Sequence, residues 1–136
     1  VVETSIGLDR MCLAVLSQAY TEERLEDGSE RVVMRIPAKI APCKVAVLPL
    51  VKKDGMPEKA REILRDLQPL FMCQYDEKDA IGRRYRRQDA IGTPFCVTVD
   101  TDTMNDDTVT VRERDTMRQE RVPVKEIAAY VAEKTR

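Results

Sequence analysis

The chain has 136 residues with 23 basic and 24 acidic side chains, which give a net charge of −1 at neutral pH. This length is sufficient for one domain that buries a core without disulfides or metals. A charge balance this close to zero argues against a protein that coats duplex DNA, so any nucleic-acid site must be a local basic patch. The chain has no histidine and its four cysteines are far apart, so the usual zinc-binding patterns are absent.

The cysteines indicate a reducing environment. Cys43, Cys73 and Cys96 lie in or beside apolar runs, where a thiol packs as a small hydrophobic side chain. We therefore expect an intracellular, cytoplasmic protein. The longest apolar stretch, residues 45–51, is too short to span a bilayer and no signal peptide is visible, so we expect no membrane association. Val1 is an unusual first residue, and we expect the chain to be part of a longer protein.

The first 41 residues contain one predicted helix and a predicted connector. From Ile6 to Tyr20, apolar residues recur at the spacing of an amphipathic helix. Residues 21–41 are polar and carry the turn sequence Glu-Asp-Gly-Ser, so we predict a connector between two domains, residues 1–20 and residues 42–136. The predicted apolar stripe of the helix comprises Leu8, Met11, Cys12, Val15, Leu16 and Ala19.

Strands and helices alternate from residue 42 onward, which predicts a three-layer α/β/α domain with a mixed five-stranded sheet. Because crossovers between parallel strands are right-handed, the predicted strand order is 2-1-3-4-5, with strand 4 antiparallel. Asp79 is the predicted N-cap and Gly92 the predicted left-handed end of the middle helix. The predicted strands are residues 44–49, 71–75, 94–99, 108–114 and 118–122, and helices follow Asp54, Asp79 and Pro123.

Two arginine-rich segments are the candidates for binding nucleic acid. The middle helix has four arginines around Tyr85, and we expect Arg84 and Arg87 to share its exposed face while Tyr85 packs inward. The last two strands carry a second cluster, in which Arg112 and Arg114 share one face of a strand. Arginine suits phosphates and base edges. Two other interpretations stay open: a solvated helix, and an edge strand protected from aggregation by charge.

The same region offers little for catalysis. It has no histidine for general acid–base chemistry and no G-x-x-x-x-G-K-[ST] phosphate-binding loop. No cysteine lies beside an activating group, and the acidic pair Asp106-Asp107 is expected to be solvated. We predict no metal site.

Four segments, in the same order and register, resemble the dimeric, class II type of glycyl-tRNA synthetase, and the resemblance covers residues 2–136. The first follows E-[PT]-S-x-G-[ILV]-[DG]-R, and the second is a strand bracketed by prolines. The third follows I-G-[KR]-x-Y-x-R-x-D-x-x-G-[TV]-P-F, and the fourth T-V-T-[VI]-R-[DE]-R-D. In this chain they are Glu3–Arg10, Ala41–Val51, Ile81–Phe95 and Thr108–Asp115.

The resemblance implies that residues 1–20 are motif 3 and the final helix of a class II catalytic domain. Arg10 would then bind ATP, and Glu3 and Ser5 would line the glycine pocket. The resemblance further implies that the longer enzyme containing this chain is a homodimer that attaches glycine to its tRNA. That enzyme would use ATP and magnesium. We expect this chain alone to be inactive and to hold no cofactor, because class II motifs 1 and 2 are absent from it.

The resemblance also implies that residues 42–136 are an anticodon-binding domain that contacts glycine tRNA. We expect Arg112 and Arg114 to read bases and the helix arginines to attract the phosphate backbone. The implied tRNA-binding residues are Arg83, Arg84, Arg86, Arg87, Arg112 and Arg114.

Three alternatives remain at this point. One is the non-catalytic, synthetase-like accessory subunit of a DNA polymerase, which has no need of an ATP-binding residue such as Arg10. Another is a synthetase for threonine, proline or histidine, which the segments Glu3–Ser5 and Thr108–Asp115 disfavour. The third is a small-molecule-binding α/β domain, which needs a glycine-rich turn that residues 50–55 do not supply.

Overall fold

The computed structural model describes residues 1–136, which form a helix, a two-stranded hairpin and a five-stranded sheet with helices on both faces. A single 3-10 turn precedes the last helix. In chain order the elements are α1 (Leu8–Ala19), β1 (Tyr20–Arg24), β2 (Glu30–Met34), β3 (Val45–Pro49), α2 (Met56–Leu67), β4 (Cys73–Tyr75), α3 (Ile81–Ile91), β5 (Phe95–Val99), α4 (Thr101–Asp106), β6 (Thr108–Glu113), β7 (Gln119–Pro123) and α5 (Ile127–Lys134).

The five-stranded sheet has the order β4-β3-β5-β6-β7. Strands β3, β4 and β5 are parallel, and β6 is antiparallel to both of its neighbours. This arrangement confirms the predicted three-layer α/β/α fold, including the antiparallel fourth strand. Helices α2 and α5 pack on one face of the sheet, and α3 packs on part of the other.

The alternation of side chains along β3 explains the layers. All five residues of β3 are buried, so this strand has no wet face. Val45 and Val47 belong to the large core beneath α2, whereas Ala46 and Leu48 lie on the opposite face and pack with Ile81 of α3. Burying these apolar groups on both faces is the main force that holds the layers together.

The predicted connector is wrong in one respect, because most of residues 21–41 form an antiparallel hairpin of β1 and β2. Arg31 and Val33 of β2 are buried while Val32 between them is exposed. The hairpin packs against α3. The strand pattern was hard to see in the sequence because one of the inward-facing residues is an arginine.

The middle helix, α3, begins differently from the prediction and ends as predicted. Ala80 occupies the N-cap position, whereas Asp79 has a positive φ of 66° and accepts a hydrogen bond from Arg87. Gly92 has a φ of 87°, as expected for a left-handed C-cap. A Cβ at Gly92 would lie only 3.0 Å from the carbonyl oxygen of Met34, so the hairpin also requires glycine there.

The amphipathic helix α1 is confirmed, but most of its apolar stripe is exposed. Leu8 is 74% exposed and Leu16 is 44% exposed, and Ala19 at the end of the helix is its one buried residue. The helix therefore presents an apolar face that the rest of this chain does not cover. None of the helices combines the length and the apolar character needed to cross a membrane.

Candidate nucleic-acid interface

The six arginines proposed to bind tRNA fall into two groups. The structure buries Arg84, Arg112 and Arg114, which are only 2%, 3% and 2% exposed. It leaves Arg83, Arg86 and Arg87 at least partly exposed on α3. The expectation that Arg84 shares an exposed face with Arg87 is therefore wrong, and the predicted base-reading residues Arg112 and Arg114 do not lie on the free surface.

Arg112 is buried because it pairs with Asp89, which is fully buried in α3. The guanidinium donates to both carboxylate oxygens of Asp89, at 2.8 and 3.1 Å. The ring of Tyr85 covers the guanidinium, with 4.7 Å between the arginine Cζ and the ring centroid. Arg31 of the hairpin donates to the same aspartate at 3.1 Å, so one carboxylate holds two buried arginines. This is the Asp89 cluster: Asp89, Arg112, Arg31 and the covering Tyr85.

Arg84 and Arg114 are bound mainly to backbone carbonyl groups. Arg84 donates to the carbonyl oxygens of Pro49 and Leu50, at the end of β3, and to that of Asp76, just after β4. Arg114 donates to the carbonyl oxygens of Gly92 and Ile36, each at 2.8 Å. The planar guanidinium group, which the sequence suggested would bind nucleic acid, here joins loops to strands through hydrogen bonds.

Sequence reasoning missed Asp89 and Arg31. Asp89 is the aspartate of the I-G-[KR]-x-Y-x-R-x-D-x-x-G motif, so its fixed spacing from Tyr85 was a usable signal. Arg31 had no such signal, because its partner lies 58 residues away. The predicted inward packing of Tyr85 is confirmed, since Tyr85 and the neighbouring Ile81 pack against buried residues of β3 and β5.

The exposed arginines of α3 form the basic part of the site. Arg87 is held by Asp76 at 2.6 Å and Asp79 at 2.8 Å, yet 42% of its side chain is exposed. The hydrogen bond from Arg87 lowers the pKa of Asp79 from its ordinary value. Arg86 lies 3.7 Å from Asp89 and is 38% exposed, while Arg83 is exposed near the start of the helix. These side chains place positive charge along one surface of the domain.

Beyond α3, the same face of the sheet continues over β6 and β7 without a helix to cover it. Thr110 and Arg121 are directly paired across these strands. Arg121 forms a bidentate ion pair with Asp100, at 2.6 and 2.8 Å, and is 34% exposed. Thr98 of β5 lies on this face too, where its hydroxyl is 2.7 Å from that of Tyr85. Thr98 is buried beside this helix residue, and we call the uncovered region beyond it the open sheet face: Asp100, Thr108, Thr110 and Arg121.

The open sheet face lies next to the carboxyl ends of the parallel strands. Strands β3 and β5 are neighbours, and the Leu50 N–H donates to the carbonyl oxygen of Val99 at 2.8 Å. The connection that leaves β3 crosses on the α2 face and the connection that enters β5 crosses on the α3 face. Ligands of α/β sheets generally bind beyond the carboxyl ends of such strands. The exposed side chains at the end of β3 are Leu50, Val51, Lys52 and Lys53.

The contribution of the Asp100–Arg121 pair to the free energy of unfolding should depend on pH. Hydrogen bonds from Arg121 lower the pKa of Asp100 from 3.8 to about 2. A carboxyl group with a lowered folded-state pKa stabilises the protein above its unfolded pKa, and the stabilisation is lost as pH falls through the folded value. Because Arg121 is about one third exposed, we expect only about 1 kcal/mol from the pair.

Urea unfolding of the native chain and of Asp100→Asn would measure this contribution. The difference in unfolding free energy should be constant above about pH 5 and should shrink as the pH falls toward 2. Asp66→Asn, on the exposed surface of α2, serves as the control and should show no such loss. A difference between the Asp100→Asn and native chains that does not vary from pH 6 to pH 2 would contradict the assignment.

The residues implied to bind ATP and glycine lie apart from this face. Glu3, Ser5 and Arg10 are exposed at and before the start of α1, and they do not enclose a site within this chain. No group of three or more histidine, cysteine, aspartate or glutamate side chains is arranged to hold a metal. Burial raises the pKa of Cys96 to about 12, so this thiol is a poor nucleophile.

Comparison with known proteins agrees with this architecture. The sequence profile of the family described as "Anticodon binding domain" matches residues 44–134. Glycine--tRNA ligase of Borrelia hermsii is 54% identical over 131 residues, which is 96% of this chain and 29% of that protein. Glycine--tRNA ligase of Chlorobaculum tepidum is 55% identical over 134 residues, 98% of this chain and 28% of that protein. The chain thus spans less than a third of these relatives.

Two solved structures share the fold at low sequence identity. The RNA binding domain of threonyl-tRNA synthetase from Cryptosporidium parvum superposes with a TM-score of 0.67 at 20% identity, over 74% of this chain and 25% of that one. Prolyl-tRNA synthetase from the same organism superposes with a TM-score of 0.67 at 17% identity, over 82% of this chain and 31% of that one. With the profile matched over most of the sheet and its helices, the chain belongs to the anticodon-binding domain family.

Proposed function

We propose that this chain recognises the anticodon of glycine tRNA as part of a glycine–tRNA ligase. The match to the anticodon-binding domain over residues 44–134 carries the proposal. The identity of 50% or more to proteins named glycine--tRNA ligase supports glycine as the amino acid. It also favours this function over a DNA polymerase accessory subunit.

The tRNA-binding surface is the exposed side of α3 together with the open sheet face. Anticodon bases are unpaired, so a protein can stack on them and bind their edges. Arg83, Arg86 and Arg87 supply positive charge for the phosphates around these bases. The adjoining strands place Thr110 and Arg121 on a rigid backbone, which suits contact with the bases.

The buried arginines have a different role in this proposal. Arg84, Arg112 and Arg114 hold the loops and the hairpin that shape the surface, because they are buried and most of their donors, the Arg84 Nε excepted, are bound to protein acceptors. A base could reach them only by displacing those partners. They are therefore positioning residues, and the exposed arginines of α3 carry the direct tRNA contacts proposed for this segment.

The rest of the proposed enzyme follows from the relatives, of which this chain spans under a third. In the whole ligase, ATP and magnesium would serve the activation of glycine. Arg10 would bind the ATP phosphates, and Glu3 and Ser5 would contact the glycine, since a carboxylate can hold its ammonium group. We further propose that the whole protein is a cytoplasmic homodimer.

Binding of an anticodon stem-loop at several salt concentrations tests the proposed surface. Arg83→Ala in the full-length protein should weaken binding of stem-loops with the glycine anticodon and with altered anticodons alike, by severalfold. It should also reduce the salt slope, the slope of the logarithm of the binding constant against the logarithm of the salt concentration, by about one. Arg65→Ala, exposed on α2 on the other side of the sheet, is the matched control. Equal losses in both variants would place the tRNA elsewhere, and a preference of the native protein for primed DNA would favour the accessory-subunit alternative.

A further inference from the structure

Arg121 on the open sheet face has used all of its hydrogen-bond donors within the protein. Its Nε donates to the Thr108 hydroxyl at 2.8 Å, and its two terminal nitrogens donate to both Asp100 oxygens. The remaining donors contact the Thr110 hydroxyl and the Thr108 carbonyl oxygen, at 3.0 and 3.1 Å. These contacts account for the five N–H groups of a guanidinium.

A guanidinium that is fully bonded at its edge has only its flat face left for a ligand. The Arg121 side chain is nevertheless 34% exposed. It therefore cannot offer a free N–H to a base edge without giving up a protein partner. Stacking needs no donor, and the faces of guanidinium groups stack on planar rings.

The protein already contains one carboxylate-bound guanidinium with a ring on its face. Arg112 lies on the same face of β6 as Thr110, forms a bidentate pair with Asp89, and is covered by the ring of Tyr85 at 4.7 Å. Arg121, on the neighbouring strand β7, forms the equivalent bidentate pair with Asp100. Helix α3 supplies the ring that covers Arg112, and no helix covers Arg121.

We propose that the Arg121–Asp100 pair is a stacking surface for one unpaired base of the bound RNA, an inference that rests on the proposed function. The base takes the position over Arg121 that Tyr85 takes over Arg112. This gives Arg121 a role in ordering the anticodon loop rather than in pairing with a base edge.

The supports of the pair make the surface rigid before RNA binds. Asp100 also caps α4, where its side chain accepts from the Thr103 N–H at 3.0 Å and the Thr103 hydroxyl at 3.1 Å. The Thr108 hydroxyl that accepts from Arg121 donates in turn to Asp106 at 2.6 Å. A side chain held in place in this way loses little conformational freedom when a base stacks on it.

Arg121→Lys in the full-length protein tests the inference, because lysine keeps the charge and lacks the plane. Anticodon stem-loops carrying 2-aminopurine at each anticodon position in turn report stacking through fluorescence quenching. We expect about tenfold weaker binding and loss of quenching at one position. Arg118→Lys, exposed in the turn before β7, is the control and should match the native protein. Unchanged affinity and quenching in Arg121→Lys would overturn the inference.

The double variant Asp100→Asn/Arg121→Gln separates stacking from phosphate binding, because it removes one charge of each sign. A stacking role predicts weaker binding with an unchanged salt slope, whereas a phosphate contact predicts a slope reduced by about one. The reduced slope would overturn the inference while leaving the proposed function intact. Failure of the native protein to bind any anticodon stem-loop would overturn the proposed function itself.

Discussion

Asp89→Ala is expected to lower the free energy of unfolding by about 3–5 kcal/mol, the cost of removing one partner of a buried ion pair. The change would leave Arg112 and Arg31 buried without their shared carboxylate. Asp89 is fully buried, so water cannot easily replace it. The hairpin, α3 and β6 would lose their common contact, because all three contribute to the Asp89 cluster.

Chemical denaturation of the native chain, Asp89→Ala and Asp89→Asn would measure this effect. Asparagine keeps the shape and one acceptor oxygen, so its loss should be smaller than that of alanine. Asp66→Ala, on the exposed surface of α2, should change stability by less than about 0.5 kcal/mol. A loss of less than 1 kcal/mol in Asp89→Ala would show that the cluster does not hold the hairpin to the domain.

The topology of the sheet could be predicted from the sequence because its signals are local. The apolar runs of β3 and β5 each mark a strand buried on both faces. The handedness of crossovers then leaves few ways to arrange the strands. Gly92 was identified for the same reason, since a left-handed helix end depends on the residue itself.

The roles of the arginines could not be predicted, because they depend on partners that are distant in sequence. Arg112 and its aspartate are 23 residues apart, and Arg114 donates to a carbonyl 78 residues away. For these two residues the sequence indicated contact with nucleic acid, whereas the structure shows their guanidinium groups bound to protein acceptors. A planar group with several donors is needed equally to bind RNA and to join buried loops. Only the fold distinguishes the two uses.

The hairpin shows the same limit at the level of secondary structure. In β2, Arg31 and Val33 point inward together, so the alternation is not one of apolar and polar residues. Burial of Arg31 is possible because Asp89 and the carbonyl oxygen of Arg114 accept its hydrogen bonds. A pattern based on hydrophobicity cannot anticipate a strand whose inward side chain is charged and paired.

Arg84→Ala and Arg87→Ala are expected to separate the structural role of α3 from its proposed role in RNA binding. Arg84 is 2% exposed and donates to three backbone carbonyl oxygens at the carboxyl ends of β3 and β4. Its loss leaves those acceptors unpaired and opens a cavity, so we expect stability to fall by about 2–4 kcal/mol. Arg87 is 42% exposed and its ion pairs are screened, so its loss should cost less than about 1 kcal/mol.

The salt dependence of binding to the anticodon stem-loop should rank the two variants in the opposite order, with the larger effect in Arg87→Ala. Arg87→Ala should reduce the salt slope of binding, because an exposed cation that neutralises a phosphate is removed. Arg84→Ala should leave the slope unchanged at temperatures where it stays folded, since its buried guanidinium touches no phosphate, although looser loops should weaken affinity. Thermal unfolding and salt-dependent anisotropy on the same samples would give both quantities. A stable Arg84→Ala protein with a reduced salt slope would contradict this assignment, because it would show that Arg84 contacts the tRNA.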